Sequence, residues 1–324
     1  MTNWIKPLHA GKLKLEHNLI QGPLAGVSCA PYRVLANQFQ RPAYSCTEMI
    51  SAIHLVHARY QRPRFLYRSE EESVVSYQLS GASPDIIARA TEIVAQNGAD
   101  LIDLNCGCPK PKIRSKGTGS ALLANPELVY QLVNAMHNAT DAVVTIKIRV
   151  DGDSDDRFNE AITDAAVKGG AGLITVHGRH WTDDYTIPIF YEQIKTIKSS
   201  CSIPIIANGD VNDFQSCLRL FEKTNCDGVM ISRGCMGRPW LFAEIIAAFL
   251  NQPYNTPSSN EIFDLFLQHL EGLAKLENEA VALLQSRRFI KYYLKSYHNM
   301  QTLIEQFHSC KTINDAKALF KTFS

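Results

Sequence analysis

The chain lacks the features that mark a membrane or secreted protein. Its 324 residues contain no apolar run that approaches the length needed to cross a bilayer. The N-terminus shows no succession of basic, apolar and small residues of the kind that directs secretion. Nine cysteines are scattered without the spacing of a disulfide framework. We therefore expect a cytoplasmic protein with no membrane association.

An excess of either charge is also missing. The chain has 33 Lys and Arg against 32 Asp and Glu, a formal net charge of +1, so it carries no uniformly basic coat for nucleic acid. Any polyanion has to be met by local basic patches. No GxGxxG fingerprint follows the first predicted strand, where the sequence reads GPLAGVS. This absence argues against an open, doubly wound dinucleotide-binding sheet.

From residue 19 onward, short apolar strands alternate with amphipathic helices. The predicted strands are Leu19–Gln21, Tyr44–Thr47, Val74–Leu79, Leu101–Leu104, Val143–Arg149, Gly172–Val176, Pro204–Ala207 and Gly228–Ile231. Helices are predicted to start at Ser83 and Asn125, each a capping residue followed by a proline. Eight such units predict an α/β protein with a (β/α)8 TIM barrel over residues 1–250.

The pattern changes after residue 250. Residues 251–261, NQPYNTPSSNE, are rich in Pro, Asn and Ser and predict a linker. Beyond them no strand pattern is apparent, and apolar residues such as Phe263, Phe266 and Leu270 keep helical spacing. We expect residues 251–324 to form a small all-helical C-terminal domain of three or four helices. Its stretch RRFIKYYLKSYH, residues 287–298, is predicted to be a basic, aromatic helix.

The most distinctive stretch is LIDLNCGCPKPKIRSKGTGS, residues 101–120. An apolar strand ends in polar residues, cysteines, glycine and proline, as buried parallel strands end in functional loops. Cys106 and Cys108 are two positions apart and would share a face of an extended backbone. Packing is the ordinary role of a cysteine. No second Cys or His pair of suitable spacing follows, so no metal site is expected.

Polar residues follow other predicted strands and would converge on one rim of the barrel. Lys147 stands among apolar neighbours, where it either extends toward solvent at the strand end or needs an anionic partner, such as a reduced flavin. His177 is either a core histidine or a site residue. IPIIANGD and GVMISRG end the last two strands, where phosphate sites of such barrels recur. The residues alone predict a barrel that binds a phosphorylated cofactor, with a thiol on the opposite rim.

Taken together, these motifs resemble the tRNA-dihydrouridine synthases, flavin-dependent enzymes that reduce a uracil ring in tRNA. The matching segments are PLAG at 23–26, Gln78, DLNCGCP at 103–109, GSALL at 119–123, TIKIR at 145–149, TVHGR at 175–179, ANGD at 207–210 and SRGCMGRPWLF at 232–242. A single motif such as HGR is weak. The ordered series covers nearly the whole chain and is highly specific.

The resemblance implies reduction of the C5=C6 bond of a specific uridine in tRNA to 5,6-dihydrouridine. It implies FMN as cofactor, NADPH or NADH as electron donor, and a helical C-terminal domain that binds tRNA; we expect a monomer. Cys108 is similar to the family's proton donor. The expected FMN contacts are Pro23, Leu24, Ala25, Gln78, Lys147, His177, Asn208, Gly209, Asp210, Ser232 and Arg233. The expected substrate contacts are Asn105, Arg149, Lys110, Lys112, Arg287, Arg288 and Lys291.

Two departures from the family pattern stand at the expected cofactor site. The first strand continues into QGPLAG where APMAG is commoner, and SRG stands where GRG is commoner, so Ser232 occupies a position usually given to glycine. If that residue required a positive φ, serine would be strained and FMN would bind less tightly. The loop after Pro109 also lacks an asparagine that many members carry.

Other functions stay open on the sequence alone. A flavin-dependent barrel dehydrogenase acting on a free pyrimidine would not need the helical region. A non-catalytic RNA-binding protein could keep the barrel as a scaffold, although Cys108, Lys147 and His177 together argue against it. Because a uracil inside tRNA has to be flipped out of its stack, phosphates should be bound nearby. The predicted phosphate contacts are the loop at 110–116, the stretch RYQRPRFLYR at 59–68 and the stretch at 287–297.

Overall fold

A closed barrel of eight parallel strands forms the centre of the fold. In the computed structural model, which describes residues 4–57, 63–152 and 157–323, the strands pair in the order β3-β4-β6-β7-β8-β9-β10-β11 and β11 returns to β3. The strands are β1 Leu8–Ala10, β2 Leu13–Leu15, β3 Leu19–Gln21, β4 Ser45–Cys46, β5 Ile50–Ser51, β6 Val75–Ser80, β7 Leu101–Cys106, β8 Val143–Arg149, β9 Ile174–His177, β10 Ile205–Asn208 and β11 Gly228–Ile231. The predicted TIM barrel is confirmed.

An antiparallel hairpin, β1 with β2, was not predicted from the sequence. Its residues Leu8, Ala10 and Leu15 are buried and pack with residues inside the barrel. The barrel residues in this cluster include Ile20, Leu101, Val143, Leu173, Ile206 and Met230. The hairpin therefore covers the end of the barrel where the strands begin. A ligand has access to the interior from the other end, where the strands finish.

Helices surround the barrel. They are α1 Ala30–Asn37, α2 Ala52–Val56, α3 Pro63–Leu66, α4 Pro84–Gln96, α5 Pro111–Arg114, α6 Pro126–Asn138, α7 Arg157–Gly169, α8 Tyr191–Ser200, α9 Phe214–Thr224 and α10 Leu241–Phe249. The predicted starts at Ser83 and Asn125 are confirmed. The Asn125 Oδ1 accepts a hydrogen bond from the Leu128 amide at 3.0 Å, and the Ser83 Oγ accepts one from the Ile86 amide at 3.5 Å. No helix in the described part of the chain has both the length and the apolar character to span a membrane.

The C-terminal region is helical, as predicted, with five helices rather than three or four in its described residues. They are α11 Ser259–Leu276, α12 Glu279–Ser286, α13 Ile290–Tyr293, α14 Met300–Ser309 and α15 Ile313–Phe323. The single helix predicted over residues 287–298 is wrong, because only the four residues of α13 are helical there. The chain turns on either side of α13, and the side chains of Phe289, Ile290 and Tyr293 are buried in the core.

The C-terminal helices pack directly against the barrel. A Cβ on Gly272 of α11 would lie 2.7 Å from the Pro31 Cβ of α1, and the rings of His269 and Tyr32 are 5.6 Å apart. A Cβ on Gly237 would overlap the backbone of residues 292 and 293. Barrel and C-terminal helices share one apolar cluster. This packing places the turn around α13 at the open end of the barrel.

Candidate active site

A cavity of about 820 Å³ opens at the end of the barrel where the strands finish. The predicted site residues that line it are Pro23, Leu24, Ala25, Gln78, Asn105, Cys108, Lys110, Lys147, Arg149, His177, Asn208, Gly209, Asp210, Ser232, Arg233 and Lys291. Cavities of several hundred Å³ accommodate ligands of cofactor size. The cavity thus has room for a nucleotide cofactor and carries both the thiol and the glycine-rich loops expected from the sequence.

Strand alternation explains why these side chains meet. Side chains two or four positions apart on a strand point to the same face. Leu101, Val143 and Ile206 fill the closed end of the barrel. Asn105 and Lys147, four positions later on the first two strands, and Asn208, two positions later on the third, line the cavity above them. The layer of polar side chains therefore rests on an apolar barrel interior.

A chain of hydrogen bonds runs across the barrel from Thr145 to the cysteine loop. The Thr145 hydroxyl donates to Asp103 Oδ1 at 2.7 Å, and Gln78 Nε2 donates to Asp103 Oδ2 at 2.8 Å. Asn105 Nδ2 in turn donates to Gln78 Oε1 at 2.8 Å. Burial raises the pKa of Asp103, while the bonds from Gln78 and Thr145 oppose that shift. Asp103 is a functional candidate that the sequence reasoning did not single out.

The loop that carries Cys108 is held on both sides. Asn105 Oδ1 accepts hydrogen bonds from the amides of Gly107 at 3.3 Å and Cys108 at 3.0 Å. The Cys108 carbonyl accepts from both the amide and the hydroxyl of Ser120, each at 3.0 Å. Gly119 has a φ of +63°, and a Cβ there would lie 2.7 Å from the Cys108 carbonyl oxygen. The Cys108 thiol therefore stands in the cavity on an ordered loop.

Cys106 and Cys108 do not share a face, contrary to the expectation from their spacing. Strand β7 ends at Cys106, and the backbone turns at Gly107, so alternation does not continue to Cys108. Cys106 is fully buried in the main apolar cluster, whereas Cys108 is partly exposed and lines the cavity. Among the residues that the structure describes, no group of three or more His, Cys, Asp or Glu side chains is arranged to hold a metal ion.

Lys147 meets an amide rather than a carboxylate. Its Nζ donates to Asn208 Oδ1 at 2.8 Å, so its partner within the protein is neutral. Burial, together with the nearby Arg149, lowers the pKa of Lys147 to about 8. Burial also lowers the pKa of His177 well below its ordinary value, and the surrounding cations add to this shift. At neutral pH, Lys147 is therefore largely protonated beside a neutral His177.

Arg149 supports the cysteine loop. Its Nε donates to the Gly107 carbonyl at 2.8 Å, and its Nη1 donates to the His180 carbonyl at 2.9 Å. Burial lowers its pKa from the ordinary arginine value. Two of its donor groups thus join the loop after β7 to the loop after β9. The side chain still lines the cavity, as expected for a residue near the substrate.

Glycines let the loops after β10 and β11 pack closely against their neighbours. Gly209 has a φ of +146°, and a Cβ there would lie 2.7 Å from Ile189 Cγ2 in the loop after β9. A Cβ on Gly234, after β11, would overlap the Val211 carbonyl, after β10. Both glycines line the cavity, and Arg233 supplies a positive charge at its wall. The residues present therefore fit a phosphorylated cofactor.

Arg233 is oriented by Asp210, an expected site residue, and by Tyr185, which the sequence reasoning missed. Its guanidinium lies 3.4 Å from the ring centroid of Tyr185, and its Nη2 is 3.5 Å from Asp210 Oδ1. The buried Arg179 also binds both carboxylate oxygens of Asp210, with Nη1 at 2.9 Å from Oδ1. Asp210 has a φ of +48°. The arginine of the HGR segment was visible in the sequence, whereas nothing in the sequence identified Tyr185.

Several predicted phosphate contacts have partners inside the protein. Arg114 donates to the Ser120 hydroxyl at 2.9 Å and lies 3.3 Å from the ring centroid of Trp181, so it joins two loops. In the stretch at 59–68, residues 59–62 lie outside the described residues. Arg64 is buried against Glu48 at 2.7 Å, and Arg68 pairs with Asp100 at 2.9 Å. These two arginines therefore have carboxylate partners within the protein, and the role of the stretch at phosphates stays a prediction.

The basic residues of the C-terminal helices are divided between two places. Lys291 lines the cavity together with Tyr292 and Lys295, which the sequence reasoning did not select although they lie in the same basic stretch. Arg287 donates to the His308 carbonyl at 2.8 Å and so caps α14. Lys112 and Arg288 are exposed and lie outside the cavity wall. The roles proposed for Lys112, Arg287 and Arg288 at the substrate stay predictions.

Sequence comparison with known proteins identifies the family of this chain. The family model described as dihydrouridine synthase (Dus) matches residues 20–324. The chain is 32% identical to the probable tRNA-dihydrouridine synthase 1 of Synechocystis sp., over 98% of this chain and 89% of that protein. It is 33% identical to tRNA-dihydrouridine synthase B of Pseudomonas aeruginosa, over 92% of this chain and 90% of that protein.

Solved structures of lower sequence identity share the barrel. Histamine dehydrogenase from Rhizobium sp. 4-9 matches with a TM-score of 0.60 at 12% identity, over 83% of this chain and 51% of that one. A morphinone reductase mutant in complex with tetrahydroNAD matches with a TM-score of 0.58 at 11% identity, over 81% of this chain and 94% of that one. These two likenesses concern the fold, whereas the family match covers nearly all of the sequence. The chain therefore belongs to the dihydrouridine synthase family, a family of oxidoreductases.

Proposed function

We propose that this protein is an FMN-dependent tRNA-dihydrouridine synthase that takes electrons from NADPH or NADH. The observation that carries the proposal is a single cavity that combines the thiol of Cys108, the Lys147–Asn208 pair and the loops that carry Gly209 and Arg233. The names of the relatives supply the substrate class, a uridine in tRNA.

FMN would be held along the loops after β10 and β11 and by the polar layer above the barrel interior. Arg233 is suited to the phosphate, and Gly209 and Gly234 line the same cavity. Gln78 has its amide oriented by Asp103 and Asn105, so one N–H and one oxygen lone pair are left for the edge of the isoalloxazine ring. Lys147 and His177 complete this set.

Bound there, FMN would supply the hydride that adds to C6 of the uracil. As negative charge develops toward C4 and C5, the Cys108 Sγ–H donates the proton that C5 requires, and general acid catalysis of this kind contributes about 10²–10⁴-fold. The protonated Lys147 stabilises negative charge in the cavity. Asn105 uses one Nδ2 hydrogen on Gln78 and keeps the other for a uracil carbonyl.

The tRNA would be bound at the mouth of the cavity. A target base flipped out of its stack has to pass the rim formed by Lys110 on one side and Lys291, Tyr292 and Lys295 on another. Lysines there can contact phosphates, and an aromatic ring can stack on a base. We assign residues 1–250 to FMN binding and catalysis, and residues 251–324 to tRNA binding.

The proposal is tested with the purified protein. We expect mass spectrometry to identify non-covalent FMN, reduction of that FMN by NADPH or NADH, and its reoxidation by tRNA from a strain that lacks the corresponding gene. Dihydrouridine should then appear in that tRNA at a position found by sequencing. Turnover with free uridine or uracil at the rate seen with tRNA would favour a free-pyrimidine dehydrogenase instead. Absence of both flavin and dihydrouridine formation would contradict the proposal.

A further inference from the structure

Gly22 and Ser232 are neighbours at the top of the barrel. Gly22 follows β3 and Ser232 follows β11, two strands whose parallel register pairs Gln21 with Ile231. The Gly22 amide donates to the Ile231 carbonyl at 2.8 Å, so the pairing extends one step further. Both positions are among the departures from the family pattern, with glycine in place of alanine and serine in place of glycine.

The two departures compensate each other in space. A Cβ built on Gly22 would overlap the Ser232 Oγ, and it would lie 3.0 Å from two atoms of the Met230 side chain. The Ser232 side chain therefore occupies the space that an alanine at position 22 would fill. Ser232 has a φ of −111°, so it does not adopt the positive φ considered from the sequence.

The hydroxyl of Ser232 has a free donor function. Asn208 Nδ2 donates to the Met230 carbonyl at 2.8 Å and approaches the Ser232 Oγ at 3.4 Å, so the oxygen serves as an acceptor. Among the described residues, no acceptor is found for the hydroxyl proton of Ser232. The side chain lines the cavity next to Arg233. The hydroxyl proton is therefore available to a ligand oxygen in the cavity.

We propose that the Ser232 hydroxyl is an additional ligand-binding group, which donates a hydrogen bond to an oxygen of the bound flavin nucleotide, and that Gly22 keeps the space for it. This inference rests on the proposed function, because it assumes that the cavity binds a flavin. The acceptor is an oxygen of the phosphate or of the ribityl and ring portion. With either acceptor, serine at position 232 supplies a hydroxyl donor that glycine at this position could not provide.

The test uses the full chain freed of flavin, titrated with FMN and with riboflavin while flavin fluorescence is followed. Ser232→Ala should weaken FMN binding about five- to tenfold, the effect of one lost hydrogen bond. A loss for FMN alone assigns the acceptor to the phosphate, and an equal loss for riboflavin assigns it to the remainder of the molecule. Wild-type affinity in Ser232→Ala overturns the inference. If the wild-type chain itself binds no flavin, the proposed function fails.

A double-mutant cycle tests the pairing by two measurements, the melting temperature of the flavin-free protein and the affinity for FMN. Gly22→Ala should lower the melting temperature of the flavin-free protein and weaken FMN binding, because the new Cβ displaces the Ser232 hydroxyl. Adding Ser232→Gly should recover most of the melting temperature, since the space is vacated, while FMN binding stays as weak as in Ser232→Ala. Strictly additive losses of melting temperature in the double variant would show that the two positions are not coupled.

Discussion

A single buried carboxylate orients the polar side chains around the thiol. Asp103 accepts from Gln78 and Thr145, and an ionised carboxylate has only acceptors to offer. Gln78 must therefore turn its Nε2 toward Asp103 and its Oε1 toward Asn105. Asn105 in turn presents its Oδ1 to the amide of Cys108. The orientation of two amide groups and one loop follows from the acceptor role of Asp103 toward both donors.

Replacing Asp103 by Asn should loosen this arrangement with little change in volume. The new amide can present either an oxygen or an NH2 group to Gln78, so both orientations of Gln78 become possible. We expect dihydrouridine formation to fall at least tenfold in single turnover, equivalent to about 1.4 kcal/mol. Thr145→Ser keeps the hydroxyl donor and is the matched control, expected to stay near the wild-type rate. An Asp103→Asn variant as fast as wild type would refute this role.

At the scale of the element, the turn around α13 joins the C-terminal helices to the mouth of the barrel. Lys291 and Lys295 line the cavity, and Lys291 Nζ lies 5.1 Å from the ring centroid of Tyr292. Arg287, by contrast, caps α14. The cavity-lining residues of this stretch are therefore the two lysines and the tyrosine between them. The sequence predicted one basic helix over residues 287–298, whereas only this short segment of it lines the cavity.

Reversing Lys291 and Lys295 to Glu should raise the KM for tRNA at least tenfold. The reduction of bound flavin by NADPH should not change, since that half-reaction involves no tRNA phosphate. The matched control is Lys223→Glu with Lys321→Glu, which makes the same change of charge at exposed positions away from the cavity. If both half-reactions of the Lys291/Lys295 variant were impaired equally, the two lysines would have a structural role instead.

At the scale of the whole molecule, the barrel could be predicted because each strand is a short apolar run with a helix after it. The β1–β2 hairpin could not be, because its strands have three residues each and one exposed position in the middle. The site residues at strand ends could be predicted because, once the strands are placed, the polar residues that follow them meet at one end of the barrel. Tyr185 was not, because its contact with Arg233 joins loops that follow different strands.

His269 connects the stability of the whole molecule to pH. It is fully buried between the barrel and the C-terminal helices, with its Nδ1 3.0 Å from the Tyr293 hydroxyl and its ring stacked on Phe289. Burial lowers its pKa from 6.5 to about 3, with a smaller contribution from Arg64. The unfolded chain therefore takes up a proton below about pH 6.5 that the folded chain takes up only near pH 3.

As pH falls from about 6.5 toward 3, His269 should cost the folded state up to about 1.4 kcal/mol per pH unit. Above pH 6.5 its contribution is constant. The free energy of unfolding, measured by urea denaturation between pH 7.5 and 4.5, tests this. In His269→Phe its slope against pH should decrease by the equivalent of about one bound proton. His9→Phe, at an exposed position, should leave the slope unchanged. An unaltered slope in His269→Phe would refute this assignment.

The most direct test of the account compares the two cysteines of the loop after β7. Cys108 stands in the cavity, whereas Cys106 is buried in the apolar cluster. Cys108→Ala should keep FMN and its reduction by NADPH but lose most dihydrouridine formation, because C5 is left without a positioned acid. Cys106→Ala should lower the free energy of unfolding by about 1 kcal/mol and change turnover little.

The measurement is single-turnover oxidation of the reduced flavin by tRNA in each variant. The account predicts that the rate falls at least 100-fold in Cys108→Ala and stays within severalfold of wild type in Cys106→Ala. A near wild-type rate in Cys108→Ala, or an inactive Cys106→Ala protein that is folded and holds FMN, would contradict it.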